Sequence, residues 1–241
     1  MNLYEKYFTS EGKKISILID PDKQNPEQLK RLIEAAEKAK IDFFTVGGSL
    51  ISVSPEETVE TVKNNSDIPV ILFPGSILQI NNKADGILLI SLISGRNPDF
   101  LIGNHVIAAP FLKKSSLEII SVGYMLIDGG VRTAVEYISN TIPIPYEKND
   151  IAVATAVAGE MTGKKCIYMD AGSGAQKSIS TKMISEVKAN IDIPLIIGGG
   201  IRDAETLKNI FAAGADIAVI GTIIEQNPKL LNEFSKTRFE I

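Results

Sequence analysis

The chain has 241 residues, 44% of them hydrophobic and 22% charged, with a formal net charge of −4. This is the composition of a globular protein with ample material for one large core, and a negative balance without any basic cluster argues against a nucleic-acid surface. The lone cysteine, Cys166, excludes a disulfide framework, and neither a signal-peptide pattern nor a run of the ~20 apolar residues that cross a bilayer is seen, so a cytoplasmic setting is expected.

Short apolar runs recur along the chain with helical patterns between most of them, which indicates βα units and a parallel sheet. Strands are expected at 15–19, 43–46, 70–73, 87–90, 119–126, 167–169, 195–197 and 218–220. Eight is the strand number of a (β/α)8, or TIM, barrel, and ~250 residues is its usual length. No linker interrupts the pattern, so 1–241 is expected to form a single α/β domain.

The first strand ends in Ile19-Asp20-Pro21-Asp22-Lys23. A carboxylate at the C-terminal end of a barrel strand faces the active site, and Asp20 is the better placed, the proline directing Asp22 toward the next helix. Magnesium needs only one or two protein oxygens when a diphosphate supplies the rest. The competing reading is that Asp-Pro-Asp only caps a helix opening at Asn25-Pro26. The second strand ends in Val46-Gly47-Gly48-Ser49, where glycines bring the backbone close to a ligand and the Ser49 hydroxyl can join a metal or a phosphate; a plain turn reads almost as well.

Strands three and four echo strands seven and eight. Asp67-Ile-Pro-Val-Ile-Leu-Phe matches Asp192-Ile-Pro-Leu-Ile-Ile-Gly, and Ala84-Asp85 matches Ala215-Asp216. The first copy is shorter between its aspartates (67 to 85 against 192 to 216), and the missing length falls where the third helix belongs. At ~1.5 Å of rise per residue no ten-residue helix fits there with its turns, so the third helix is expected to be absent or reduced to a turn, opening one wall of the barrel.

The following stretch is apolar, and its His105, the only histidine, reads as a satisfied packing residue rather than a catalyst. The long connection 128–166 carries Asp128-Gly-Gly-Val131, an apolar piece through Tyr137 and a helix over 149–162. Long barrel loops are commonly lids, and this one has apolar side chains suited to a greasy substrate, with packing against the barrel's own helices as the alternative.

The sixth strand gives Tyr168-Met169-Asp170-Ala171-Gly172-Ser173-Gly174. Period-2 alternation puts Tyr168 and Asp170 on one face, a phenol beside a carboxylate able to act as general base; the alternative is that Asp170 orders the glycine loop. The seventh strand stops at Gly198-Gly199-Gly200 before a helix over 203–213, and the eighth ends in Gly221-Thr222. Two successive strand-to-helix junctions rich in glycine, with helix N-termini aimed at one place, are a phosphate-binding arrangement.

Together IDPDK (19–23), VGGS (46–49), YMDAGSGA (168–175), GGGI (198–201) and GT (221–222) resemble the geranylgeranylglyceryl phosphate synthases and their bacterial PcrB-like relatives, over nearly the whole chain and in family order. The resemblance implies a modified TIM barrel without a regular third helix. It implies transfer of a long prenyl group, geranylgeranyl by the family's name, from its diphosphate to the 3-hydroxyl of sn-glycerol 1-phosphate, with Mg²⁺. Carried over by position, Asp20 and Ser49 match the metal site. Tyr168 through Gly174, Gly199, Gly200, Gly221 and Thr222 match the glycerol phosphate site, with Asp170 and Tyr168 the catalytic pair. The AGSGA form of the loop resembles the family's second group, which implies a dimer-based homo-oligomer. Two positions depart: Leu18 stands where some members have Lys, and Asp170 where most have Glu, a carboxylate drawn back by one methylene. An isomerase or lyase acting on a soluble phosphate, or a non-catalytic phosphate- or lipid-binding barrel, are the competing readings.

Overall fold

The apolar runs form eight parallel strands: β1 (Lys14–Ile19), β2 (Phe43–Val46), β3 (Val70–Leu72), β4 (Gly86–Leu92), β5 (Glu118–Leu126), β6 (Cys166–Asp170), β7 (Leu195–Gly198) and β8 (Ile217–Ile220). In this computed structural model, which describes residues 2–238, each strand pairs with the next and β8 closes on β1. The expected barrel is thus present, with strand ends displaced by a few residues at most.

Alternation divides the strand side chains into two layers. Phe43, Ile71, Leu88, Val122, Tyr168 and Ile196 point inward and fill the barrel, whereas Ile17, Val46, Leu72, Met169 and Ile197 point outward beneath the helices. Cys166 is buried in the inner layer, where burial pushes its thiol well up, so it is an inert packing residue. The lower end of the barrel is stoppered by the five-residue turn Tyr4–Phe8, which the strand pattern did not foretell: Phe8 stacks on Phe43 with ring centroids 5.5 Å apart. The Glu118 carboxylate fixes that turn by accepting from the backbone N–H groups of Leu3 and Tyr4.

The repeat seen in the sequence has a structural basis at the same end. Asp85 accepts a hydrogen bond from the Val70 N–H at 2.8 Å, and Asp216 accepts from the Leu195 N–H at 2.8 Å. Each carboxylate, placed just before one strand, satisfies the first amide of the preceding one, and each also pairs with a lysine, Lys63 or Lys188. Asp42, just before β2, likewise accepts from Ile15, the second residue of β1, with Arg238 as its cation.

The helices are α1 (Pro26–Ala39), α2 (Glu56–Asn65), α3 (Asn104–Leu112), α4 (Ala134–Ser139), α5 (Asn149–Met161), α6 (Thr181–Lys188), α7 (Ala204–Ala212), α8 (Thr222–Gln226) and α9 (Leu231–Thr237). Between β3 and β4 there is only the 3-10 turn Ile77–Gln79, as the missing length required. Buried Gln79 substitutes for the helix: its Oε1 accepts from the Gly48 and Gly75 amides at 3.2 and 3.3 Å, and its Nε2 donates to the Gly48 carbonyl at 2.7 Å. No helix among the described residues is long and apolar enough to cross a membrane.

Candidate active site

The C-terminal ends of the strands surround a cavity of about 610 Å³, within the usual range of small-molecule sites. One end is built of backbone: Gly172–Gly174, Gly199, Gly200, Gly221 and Thr222. Gly199 and Gly200 both have positive φ, +79° and +69°. Consecutive amides in that conformation turn toward one point and form an anion-binding concavity. A Cβ at Gly199 would lie 2.7 Å from the Asp170 Oδ1 and from the Gly172 nitrogen, so glycine is required by space as well as by φ.

The two helix starts do not contribute equally, contrary to the expectation from sequence. The side chain of Asp203 caps α7 by accepting from the Thr206 N–H at 2.7 Å, which satisfies part of that terminus internally. By contrast α8 begins at Gly221 with no side-chain cap, and Thr222 and Ile223 line the cavity.

Tyr168 and Asp170 project into the cavity from β6 as alternation predicts. Met169 and Ala171 lie between the barrel and its helices, so their side chains do not reach a ligand. The phenol bonded to Asp170 is that of Tyr124, which was not singled out: its hydroxyl donates to Oδ2 at 2.6 Å, while the Gly172 N–H donates to Oδ1 at 2.7 Å. Tyr124 on β5 is in register with Tyr168 on β6, and the inward alternation of Ser-Val-Gly-Tyr was the signal available for it. Burial pushes the Asp170 carboxyl above the usual carboxylate range, partly offset by those two hydrogen bonds. Burial, followed by the Asp170 charge, holds both tyrosines well above the ordinary phenol value, so they are neutral donors and never bases near neutral pH. Tyr168 stacks on Phe73, centroids 5.3 Å apart, and meets Tyr124 edge-on at 5.4 Å.

On the opposite side lie Asp20, Ser49, Lys23 and Glu225. Asp20 accepts from the Asp22 N–H and pairs with the Lys23 ammonium at 2.8 Å. Glu225, another residue the motifs did not reveal, accepts from the Asp20 N–H at 3.2 Å and from Gln24 Nε2 at 3.0 Å, and burial raises its carboxyl above the usual range. Asp22 does not cap the following helix: it accepts from the amides of Ser52 and Val53, and Asn25 caps α1 through the Gln28 N–H. It thereby ties the loop after β1 to the loop after β2. The Asp20 carboxylate and the Ser49 hydroxyl are hard oxygen donors of the kind Mg²⁺ takes, and a bound cation would displace the Lys23 ammonium that pairs with Asp20. Among the described residues no three His, Cys, Asp or Glu side chains gather to hold a metal unaided.

The other end of the cavity is apolar, formed by Phe73, Ile90, Leu92, Phe100, Val135 and Ile138. Val135 and Ile138 come from α4, so the long connection does cover the cavity. His105 is outside it: its Nε2 donates to the Ile90 carbonyl at 2.8 Å on the outer side of the barrel, and burial lowers its pKa.

A model of the PcrB family matches residues 9–238. The chain belongs to the PcrB family. Geranylgeranylglyceryl phosphate synthase of Chitinophaga pinensis is 52% identical over 92% of this chain and 89% of its own length. That of Spirosoma linguale is 48% identical over 98% and 95%. Among solved structures, (S)-3-O-geranylgeranylglyceryl phosphate synthase from Thermoplasma acidophilum, in complex with its substrate sn-glycerol-1-phosphate, superposes with a TM-score of 0.93 at 34% identity, covering both chains completely.

Proposed function

We propose that this PcrB-family protein is a prenyltransferase joining a long-chain prenyl diphosphate, geranylgeranyl diphosphate by its relatives' names, to the 3-hydroxyl of sn-glycerol 1-phosphate in the cytoplasm. The observation that carries this reading is a single cavity with an amide-lined anion cradle at one end, an apolar groove at the other and a buried carboxylate between them. An isomerase acting on a soluble phosphate has no use for the groove.

In this reading the glycerol phosphate is held through its phosphate by the amides of the Gly199–Gly200 and Gly221–Thr222 loops, with the 172–174 loop closing over it. Asp170 accepts the proton of the 3-hydroxyl as the new C–O bond forms and the bond from the prenyl carbon to diphosphate breaks. Its raised basicity suits that task, and neutral Tyr168 donates a hydrogen bond that orients the glycerol. The stacked faces of Phe73 and Tyr168, with Tyr124 edge-on, present electron-rich surface to the developing allylic cation. The tail lies along Phe100, Val135 and Ile138. Asp20 and Ser49 would hold Mg²⁺, whose chemistry when bound is to neutralise charge on the departing diphosphate.

The test is release of inorganic diphosphate from a prenyl diphosphate. It should require both glycerol phosphate and Mg²⁺, and Asp20→Ala should lower it by roughly a hundredfold or more, a loss of about 2.7 kcal/mol in transition-state stabilisation. Full release by Asp20→Ala at saturating Mg²⁺ would remove Asp20 from the site.

A further inference from the structure

The loops around the mouth are tied together in two groups. In the phosphate half, Arg202 of the loop after β7 donates to the Ala175 carbonyl of the loop after β6 at 2.7 Å. In the Asp20 half, Asp22 joins the loop after β1 to the loop after β2, and Gln79 joins the loops after β2 and β3. Among the described residues, the side-chain hydrogen bonds that cross the mouth from the loops after β6, β7 and β8 to those after β1, β2 and β3 are both made by Glu225. From α8 it accepts from the Asp20 N–H at 3.2 Å and from Gln24 Nε2 at 3.0 Å, both on Oε1.

The crossing is short and direct. The turn that opens α8 closes on the anion cradle itself, the Ile224 N–H donating to the Gly221 carbonyl at 2.9 Å. Glu225 lies three residues past Thr222, so the two share one side of that helix, Thr222 at the cradle and Glu225 at Asp20. The strands β8 and β1 are hydrogen-bonded neighbours, yet what stands between their ends is apolar: a Cβ on Gly221 would meet the side chain of Leu18 at 3.7 Å. A half-buried carboxylate facing a second carboxylate is also a costly brace, since burial and the Asp20 charge both disfavour its ionised form. Departures from local preference of this kind are expected at functional sites.

We infer, resting on the prenyl-transfer reading, that Glu225 is a positioning residue that couples the two ends of the cavity. An anion seated on Gly221 and Thr222 fixes the first turn of α8, that turn fixes Glu225, and Glu225 holds the Asp20 amide so that the Asp20 carboxylate stays at the mouth. Binding at the phosphate end therefore strengthens binding of the diphosphate and its cation at the Asp20 end, and by linkage the reverse holds by the same factor. The prenyl diphosphate is then gripped firmly only when its acceptor is in place, which disfavours its loss to water.

The test is calorimetric titration with sn-glycerol 1-phosphate, alone and in the presence of Mg²⁺ and a geranylgeranyl diphosphate analogue whose bridging ester oxygen is replaced by sulfur to suppress transfer. For the parent, Kd should fall at least about fivefold when Mg²⁺ and the analogue are present. In Glu225→Ala that fall should shrink to less than about twofold, with Kd for glycerol phosphate alone within about threefold of the parent's. Glu225→Gln keeps an oxygen able to accept both bonds and should retain the fall. Far-UV circular dichroism verifies that the variants are folded. A parent that binds glycerol phosphate equally well in both conditions overturns the inference and leaves the functional reading standing. So does a folded Glu225→Ala variant with the parent's ratio, or a folded Glu225→Gln variant that has lost it. A parent that binds no glycerol phosphate overturns the functional reading and the inference with it.

Discussion

At the scale of single residues, Asp170, the proposed base, is held by Tyr124, a residue outside every motif. Asp170 has both oxygens engaged, one by Tyr124 and one by the Gly172 amide, and this fixes the side chain in one position. Because burial raises the Asp170 carboxyl, kcat/KM should fall on acidification at a pH above the ordinary carboxylate range, as the base takes up its proton. The Tyr124 hydrogen bond favours the ionised form, so Tyr124→Phe should move that acid limb upward by about one pH unit or more. An unmoved limb would mean that Asp170 is not the titrating base. Gly199→Ala places a Cβ against Asp170 and Gly172 in a left-handed backbone, and should weaken glycerol phosphate binding at least about tenfold by calorimetry, through strain of about 1–2 kcal/mol plus the displaced cradle. The polar residues of the site were legible because they end strands next to glycine. Tyr124 and Glu225 were not, since each sits inside an apolar or helical pattern and gains its role only from what the barrel places opposite it.

Among elements, the most informative is one that is nearly absent. The short spacing between Asp67 and Asp85 left no room for a third helix, and a single turn stands there with Gln79 tying the loops after β2 and β3 together. That clamp was not legible: a glutamine in a polar stretch has no sequence signature until the loops meet it. The N-terminal stopper at Tyr4–Phe8 was hidden for the same reason, its partner Glu118 being more than a hundred residues away in sequence. The repeated Ala-Asp before β4 and β8 was legible as a likeness and acquires a physical meaning as an amide clamp between neighbouring strands. Asp216→Ala leaves the Leu195 amide and the Lys188 ammonium without their carboxylate, and should cost about 1–3 kcal/mol in chemical denaturation. A variant as stable as the parent would show the clamp to be incidental.

Across the whole molecule, barrel and site are two results of one pattern. Period-2 alternation fills the interior below and, at the strand ends, delivers Asp20, Ser49, Tyr168 and Asp170 to one mouth, while the glycines that stop the strands supply the anion cradle. Removing one helix and laying α4 across the mouth extends that mouth into a groove of apolar side chains. The central claim is that the two ends of this cavity bind the two halves of one product. The measurement that tests it most directly uses radiolabelled sn-glycerol 1-phosphate with prenyl diphosphates of increasing length, with and without Mg²⁺, followed by extraction into butanol. The account predicts extractable label only when a prenyl diphosphate and Mg²⁺ are both present, with long donors preferred. Folded protein that binds glycerol phosphate yet gives no extractable label with any donor would contradict it.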